Sequence, residues 1–198
     1  MGRAITMIQD SQQIEGIVLA AGRSSRCDPF KMTLLLGGKA VIARCVASMY
    51  GIVSRIVVVT GWNADLVREA LRGYERVEFA HNAGFDVGMF SSVQTGVAQV
   101  QAATFFLTPG DYALLTPSVY ETLLAAPGRV VIPTFQGQRG HPVLLRGLKD
   151  EILSAPAEAT LREVIDQVGC VTVEVDHESI LWDIDTFQDY ERIKTYFD

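Results

Sequence analysis

Three cations, Arg23, Arg26 and Lys31, crowd one short stretch, "LAAGRSSRCDPFK", in a chain whose net charge is −6. They follow Leu19, Ala20, Ala21 and Gly22, the end of an apolar run whose small residues let backbone N–H groups come close to a ligand, and Ser24 and Ser25 add hydroxyl donors. Such a loop suits a bound polyphosphate; a solvated basic loop packed by small residues is the alternative. The stretch contains neither G-x-x-x-x-G-K-[ST] nor G-x-G-x-x-G, which excludes a P-loop and a dinucleotide fingerprint. Farther along, Asp111 follows the apolar "TFFLT" in "PGDYALL". In "DID" the alternation of an extended segment sends Asp183 and Asp185 to the same side. Taken alone, these acids also fit a turn and a helix-start contact. In "GMFSSVQTGV", Ser91 and Ser92 either bind a phosphate or base edge at a helix start or simply cap that helix, with Asn82, Met89 and Gln94 close by in sequence. His141 stands in "QRGHP", whereas His81 and His177 have no context that assigns them.

The elements that must position these groups alternate. Apolar runs predict buried strands at 16–20, 55–60, 77–80, 104–108, 129–133, 141–145 and 170–175. Between them, Val41, Ile42, Cys45, Val46 and Met49 form a helical stripe. Asn63 is placed to cap "ADLVREALRG" with Gly73 ending it, Thr116 precedes a proline-started helix, and Thr186 and Asp189 form a capping-box pattern before the last helix. "VVIPTFQGQRGHPVLL" interrupts this order with a hairpin-like segment. The pattern predicts a parallel sheet covered on both faces, with ligands beyond the carboxyl ends of the strands.

Composition narrows the class. Of the 198 residues, 48% are apolar and 20% charged, an ordinary globular balance that predicts one domain over 16–198 behind a polar lead of 1–15. The acidic balance argues against a broad nucleic-acid surface, and no apolar run is long enough to span a bilayer. The start lacks the apolar core of a secretory signal, and Cys27, Cys45 and Cys170 read as reduced thiols, so a cytoplasmic location is expected.

The opening loop resembles the signature L-A-A-G-x-S-x-R-M-G-x-x-K of the MobA-like nucleotidyltransferases, in particular their molybdenum cofactor cytidylyltransferase-like members. The similarity continues in order through "LLLGGKAVIARC", "VVVTG", "HNAGFDVGMFSSVQTGV", "TPGDYALLTP", "PTFQGQRGHPVLL" and "WDIDTFQDYERI". It implies a Rossmann-like three-layer α/β sandwich of the nucleotide-diphospho-sugar transferase type. The implied reaction moves a nucleoside monophosphate from an NTP to a phosphorylated acceptor and releases pyrophosphate. Arg23, Arg26, Lys31 and Asp111 would be catalytic, and Leu19, Ala20, Ala21, Gly22, Ser24, Ser25, Ser91 and Ser92 would bind the nucleotide. Asp111, matching the family's G-D-x-P acid, and Asp185 would hold Mg²⁺, while Arg139, Gly140 and His141 would face the acceptor. Ala21 in L-A-A-G favours CTP, the favoured acceptor is molybdopterin, and proteins that mature molybdenum hydroxylases are the implied partners. Cys27 and Asp28 stand where the signature has Met-Gly, Phe90 replaces a serine, and Ala113 replaces the proline after the metal acid. A sugar phosphate or other phosphorylated acceptor, and a nucleotide-binding module without turnover, are the alternatives.

Overall fold

The computed structural model describes residues 13–24 and 29–197. Strand β1 (Ile14–Ala20) leads into a 3₁₀ turn at Lys31–Thr33, the short strands β2 (Leu35–Leu36) and β3 (Lys39–Ala40), and helix α1 (Val41–Met49). Next come β4 (Arg55–Thr60), α2 (Ala64–Ala70), β5 (Val77–His81), α3 (Met89–Gln99), β6 (Thr104–Pro109) and α4 (Pro117–Ala125). The hairpin-like region comprises β7 (Val130–Phe135), β8 (Gln138–Arg139) and β9 (Val143–Arg146). The chain continues through α5 (Lys149–Ser154), α6 (Leu161–Val168), β10 (Val171–Glu174), a 3₁₀ turn at Glu178–Leu181 and α7 (Phe187–Lys194).

The main sheet runs β10-β7-β9-β6-β1-β4-β5, with β8 paired to β7. β1 pairs in parallel with both β4 and β6, whereas β9 is antiparallel to β6 and β7. Alternation along β1 splits its side chains between two cores. Val18 and Ala20 pack with residues of α1, α2 and α4, while Ile17 and Leu19 pack with α3, α5 and α6. The two helical layers on one mostly parallel sheet are the α/β sandwich that the sequence predicts. Ile17 and Val18 have no solvent exposure, and burying such a side chain contributes about 2 kcal/mol.

Several local expectations change. Asn63 occupies the start of α2, but in the left-handed region (φ 54°) and without a side-chain cap bond, and α2 ends at Ala70, ahead of Gly73. α3 begins at Met89 behind Gly88, so neither Ser91 nor Ser92 is its N-cap. β9 begins two residues later than expected, because Pro142 has no N–H to donate and the His141 N–H donates to the Ile180 carbonyl at 2.9 Å. α5 and α6 were not foreseen, although Thr160 and Glu163 carry the T-x-x-E capping-box signal and form that box. The Thr186–Asp189 box forms as expected. No helix among the described residues is long and apolar enough to cross a membrane.

Candidate active site

The chain steps from β1 to β4 and β5 on one side, then returns to place β6 on the other side of β1. A crevice opens at such a reversal, beyond the carboxyl ends of the strands. Here it is a cleft of about 520 Å³. Leu19 lines it from the end of β1, Ala21, Gly22 and Ser24 from the first loop, Phe85, Met89 and Ser92 from the β5–α3 side, and Asp111 and Tyr112 from the segment after β6.

Close packing puts the acids there. A Cβ on Gly110 would lie 2.5 Å from Ile42 Cδ1 of α1 and 3.2 Å from the Leu19 carbonyl oxygen of β1, so glycine lets the segment after β6 fit between α1 and β1, where its N–H donates to the Leu19 carbonyl at 2.9 Å. Asp111 is thereby carried to the foot of the first loop. The second arm depends on Ile184, which is fully buried among Leu36, Val41, Ala113, Tyr190 and Ile193. Anchoring Ile184 inward turns its neighbours Asp183 and Asp185 out to the cleft, as period-two alternation requires. Directly afterwards Asp189 accepts from the Thr186 N–H at 2.8 Å and returns its own N–H to Thr186 Oγ1 at 3.2 Å, holding the start of α7.

Carboxylate oxygens of Asp111, Asp183 and Asp185 lie within 4.8 Å of one another. Lys31 Nζ donates to Asp111 Oδ2 at 2.6 Å and lies 3.5 Å from Asp185 Oδ1. Burial, with the charges of Asp111 and Asp185 beside it, raises the Asp183 carboxyl above its ordinary value, and Lys31 partly opposes this. The Tyr112 hydroxyl is also pushed up, first by burial and then by the acids. His141, whose ring meets Tyr112 edge-on at 5.0 Å, is pushed down to about 4 by burial, against the pull of Asp111 and a backbone hydrogen bond to Leu107. It is therefore a neutral imidazole at pH 7.

Among the described residues, the buried side-chain polar atoms without a hydrogen-bond partner are Ser24 Oγ, Asp111 Oδ1 and His141 Nδ1. All three belong to residues that line this cleft. Leaving such an atom unsatisfied costs about 1–3 kcal/mol, an expense that folded proteins concentrate where a ligand completes the bonding. An open buried carboxylate oxygen beside two further carboxylates is an oxygen-rich set that fits a hard divalent cation.

Of the residues expected at the site, Leu19, Ala21, Gly22, Ser24, Lys31, Ser92, Asp111, His141 and Asp185 meet around the cleft. Ser25 and Arg26, like Cys27 and Asp28, lie outside the described residues. Arg23 is not part of the lining. Its guanidinium makes a bidentate pair with Asp86, at 2.8 and 2.6 Å, and lies 5.0 Å over Trp62. Ala20 is buried in β1 and Arg139 is exposed on β8. Gly140 sits against the Ile180 carbonyl, where a Cβ would come within 2.2 Å. Ser91 donates to the Gly88 carbonyl at 2.7 Å and, with Ser92, accepts from Asn82 Nδ2 at 2.9 Å. Gln94 ties α3 to the Ile152 and Ala155 carbonyls. Asp183 and Tyr112 are the additions. Alternation in "DID" signalled the first, whereas the second had only its place beside Asp111.

A family model described as a MobA-like NTP transferase domain matches residues 16–173. The chain belongs to this family. As a MobA-like protein it is a nucleotidyltransferase, and it is 27% identical over 183 residues to the molybdenum cofactor cytidylyltransferase of Escherichia coli, covering 91% of this chain and 95% of that protein. Its fold matches a nucleotidyl transferase from Methanothermobacter thermautotroptrophicus with a TM-score of 0.80 at 26% identity, over 93% of this chain and 97% of the other. The Rv0371C protein of Mycobacterium tuberculosis, solved as a complex with manganese, shares the fold with a TM-score of 0.75 at 21% identity, over 92% of this chain and 98% of its own.

Proposed function

We propose that the protein transfers a nucleoside monophosphate, CMP first among them, from its triphosphate to the phosphate of molybdopterin and releases pyrophosphate. The observation that carries this reading is the buried, unpartnered Asp111 Oδ1, which shares the cleft with Asp183, Asp185 and Lys31 at the foot of the opening loop. The name of the Escherichia coli relative supports the choice of CTP and molybdopterin. The manganese complex of the mycobacterial relative supports a divalent ion, for which Mg²⁺ is the expected choice.

In the reaction an oxygen of the acceptor phosphate forms a bond to the α-phosphorus of the nucleotide. The bond from that phosphorus to the bridging oxygen breaks, and the electron pair leaves with pyrophosphate. The nucleophile is already anionic, so the protein's task is positioning and charge stabilisation, and no strong base is needed. Backbone N–H groups around Gly22 and the Ser24 hydroxyl would orient the triphosphate, with Lys31 offsetting its charge. Neutral His141 would bond to a ligand through Nδ1 without adding a charge. Asp111 and Asp185, with Asp183 adjacent, would hold the divalent cation, which when bound neutralises charge on the phosphate oxygens.

Incubation of the protein with each NTP in turn, Mg²⁺ and molybdopterin, followed by mass analysis, tests the reading. A cytidine dinucleotide of molybdopterin is the expected product. Absence of a dinucleotide with every NTP, with transfer to sugar phosphates instead, would overturn the choice of acceptor.

A further inference from the structure

The acidic trio has a resident counter-charge. The Lys31 ammonium touches Asp111 Oδ2 at 2.6 Å and stands 3.5 Å from Asp185 Oδ1, with its side chain only 12% exposed and that of Asp111 only 8%. The other Asp111 oxygen, Oδ1, is buried and has no partner. Lys31 therefore occupies one half of this carboxylate and leaves the other open.

We propose that Lys31 stands in for the cation in the nucleotide-free protein: its ammonium neutralises the trio and weakens the binding of a free divalent ion until nucleotide phosphates draw it away. The inference rests on the cation and nucleotide reading above and adds an order to it.

The geometry allows such an exchange. Lys31 opens the 3₁₀ turn, the neighbouring Met32 is held in the core at 4% exposure, and Lys31 lines the same cleft as Gly22 and Ser24 of the opening loop. The backbone thus stays anchored while a flexible four-carbon stem carries a compact charge between carboxylate and phosphate. A divalent ion entering beside the ammonium meets a like charge and must compete for Asp111. Once phosphates engage Lys31, the same ion meets three carboxylates without that competitor. By linkage, nucleotide and cation then raise each other's affinity by one common factor.

The test is a Mn²⁺ titration followed by loss of the free-ion paramagnetic resonance signal, on the parent and on Lys31→Met, without nucleotide. Lys31→Met should bind Mn²⁺ about tenfold or more tightly than the parent, a coupling of ordinary allosteric size, and Lys31→Arg should bind as weakly as the parent. Thermal melting identifies folded variants, and Lys31→Gln replaces Lys31→Met if the latter does not melt cooperatively. Equal or weaker binding by the uncharged variant overturns the stand-in role and leaves the cation reading intact. If parent and variants bind no Mn²⁺ even with CTP present, or if Asp111→Asn leaves the Mn²⁺ affinity unchanged, the cation reading itself fails and the inference falls with it.

Discussion

Gly140→Ala probes how the distant arm of the site is held. The Gly140 N–H donates to the Pro133 carbonyl of β7 at 2.9 Å, and on its other side a Cβ would lie 2.2 Å from the Ile180 oxygen and 2.7 Å from the Ile180 carbonyl carbon. Both are backbone atoms, so no side-chain rotation relieves the clash. Roughly 1 Å of separation must open between the β7–β9 segment and the Glu178–Leu181 turn before the methyl reaches ordinary contact distance. The cost is about 1–3 kcal/mol, the usual range for overpacking, and the His141–Ile180 hydrogen bond lengthens with it. Because Asp183 and Asp185 follow directly from that turn, the displacement moves them relative to Asp111, which is held just beyond the end of β6. A misplacement of about 1 Å at a reacting centre typically lowers the rate on the order of a hundredfold. Urea unfolding, Mn²⁺ titration and NTP/pyrophosphate exchange measure the three effects. Gly51→Ala is the control, since a Cβ there meets nothing within 4 Å. A folded Gly140→Ala protein with parental Mn²⁺ affinity and exchange would refute the reasoning that this contact sets the position of the acids.

Asp111→Asn removes the charge but keeps an oxygen for Lys31, so the fold should persist while NTP/pyrophosphate exchange falls by at least about a hundredfold; exchange at the parental rate would remove Asp111 from the chemistry. Arg23→Ala should change the exchange rate by less than about threefold, because the guanidinium is engaged by Asp86 outside the cleft lining. A hundredfold loss would instead put Arg23 on the phosphates. For His141 the folded value of about 4 lies below the ordinary 6.5. Above pH 6.5 the ring is neutral folded or unfolded; as pH falls towards 4 only the unfolded chain takes up the proton, so stability drops through that window, by about 2 kcal/mol between pH 7 and pH 5. Urea midpoints of the parent and His141→Asn at those two pH values measure it, and an equal pH dependence in both would count against a buried neutral imidazole.

Strands and chemistry were legible where a short stretch decides its own fate. The runs at 55–60 and 104–108 are apolar on both faces because both faces are covered, and they form β4 and β6 nearly as drawn. Asp183 and Asp185 share a side because extended backbone alternates, whatever surrounds it. The capping box at Thr186 also needs only its own residues. Other positions depended on partners far along the chain. Ser91 and Ser92 look like caps in sequence, but Asn82 ties both to the β5–α3 loop, and Gly88 takes the cap position. The sequence shows Arg23 only as a loop cation; the fold shows Asp86, Trp62 and Phe85 around its guanidinium. Likewise, only the fold sets the Ile180 carbonyl against Gly140.

From sequence alone came the alternation of strands and helices, the basic loop after the first strand, the two acidic stretches and, through the order of its motifs, the MobA-like resemblance. These follow from local periodicity and side-chain chemistry, which a linear chain displays. Tertiary structure decided which acids meet, which cation they meet first and which polar atoms are left open. Asp111 and Asp185 come together because Gly110 lets the segment after β6 fit between α1 and β1 and Ile184 is drawn into a separate core. Each of these contacts joins segments remote in sequence, and only packing of the whole sheet brings them within bonding distance.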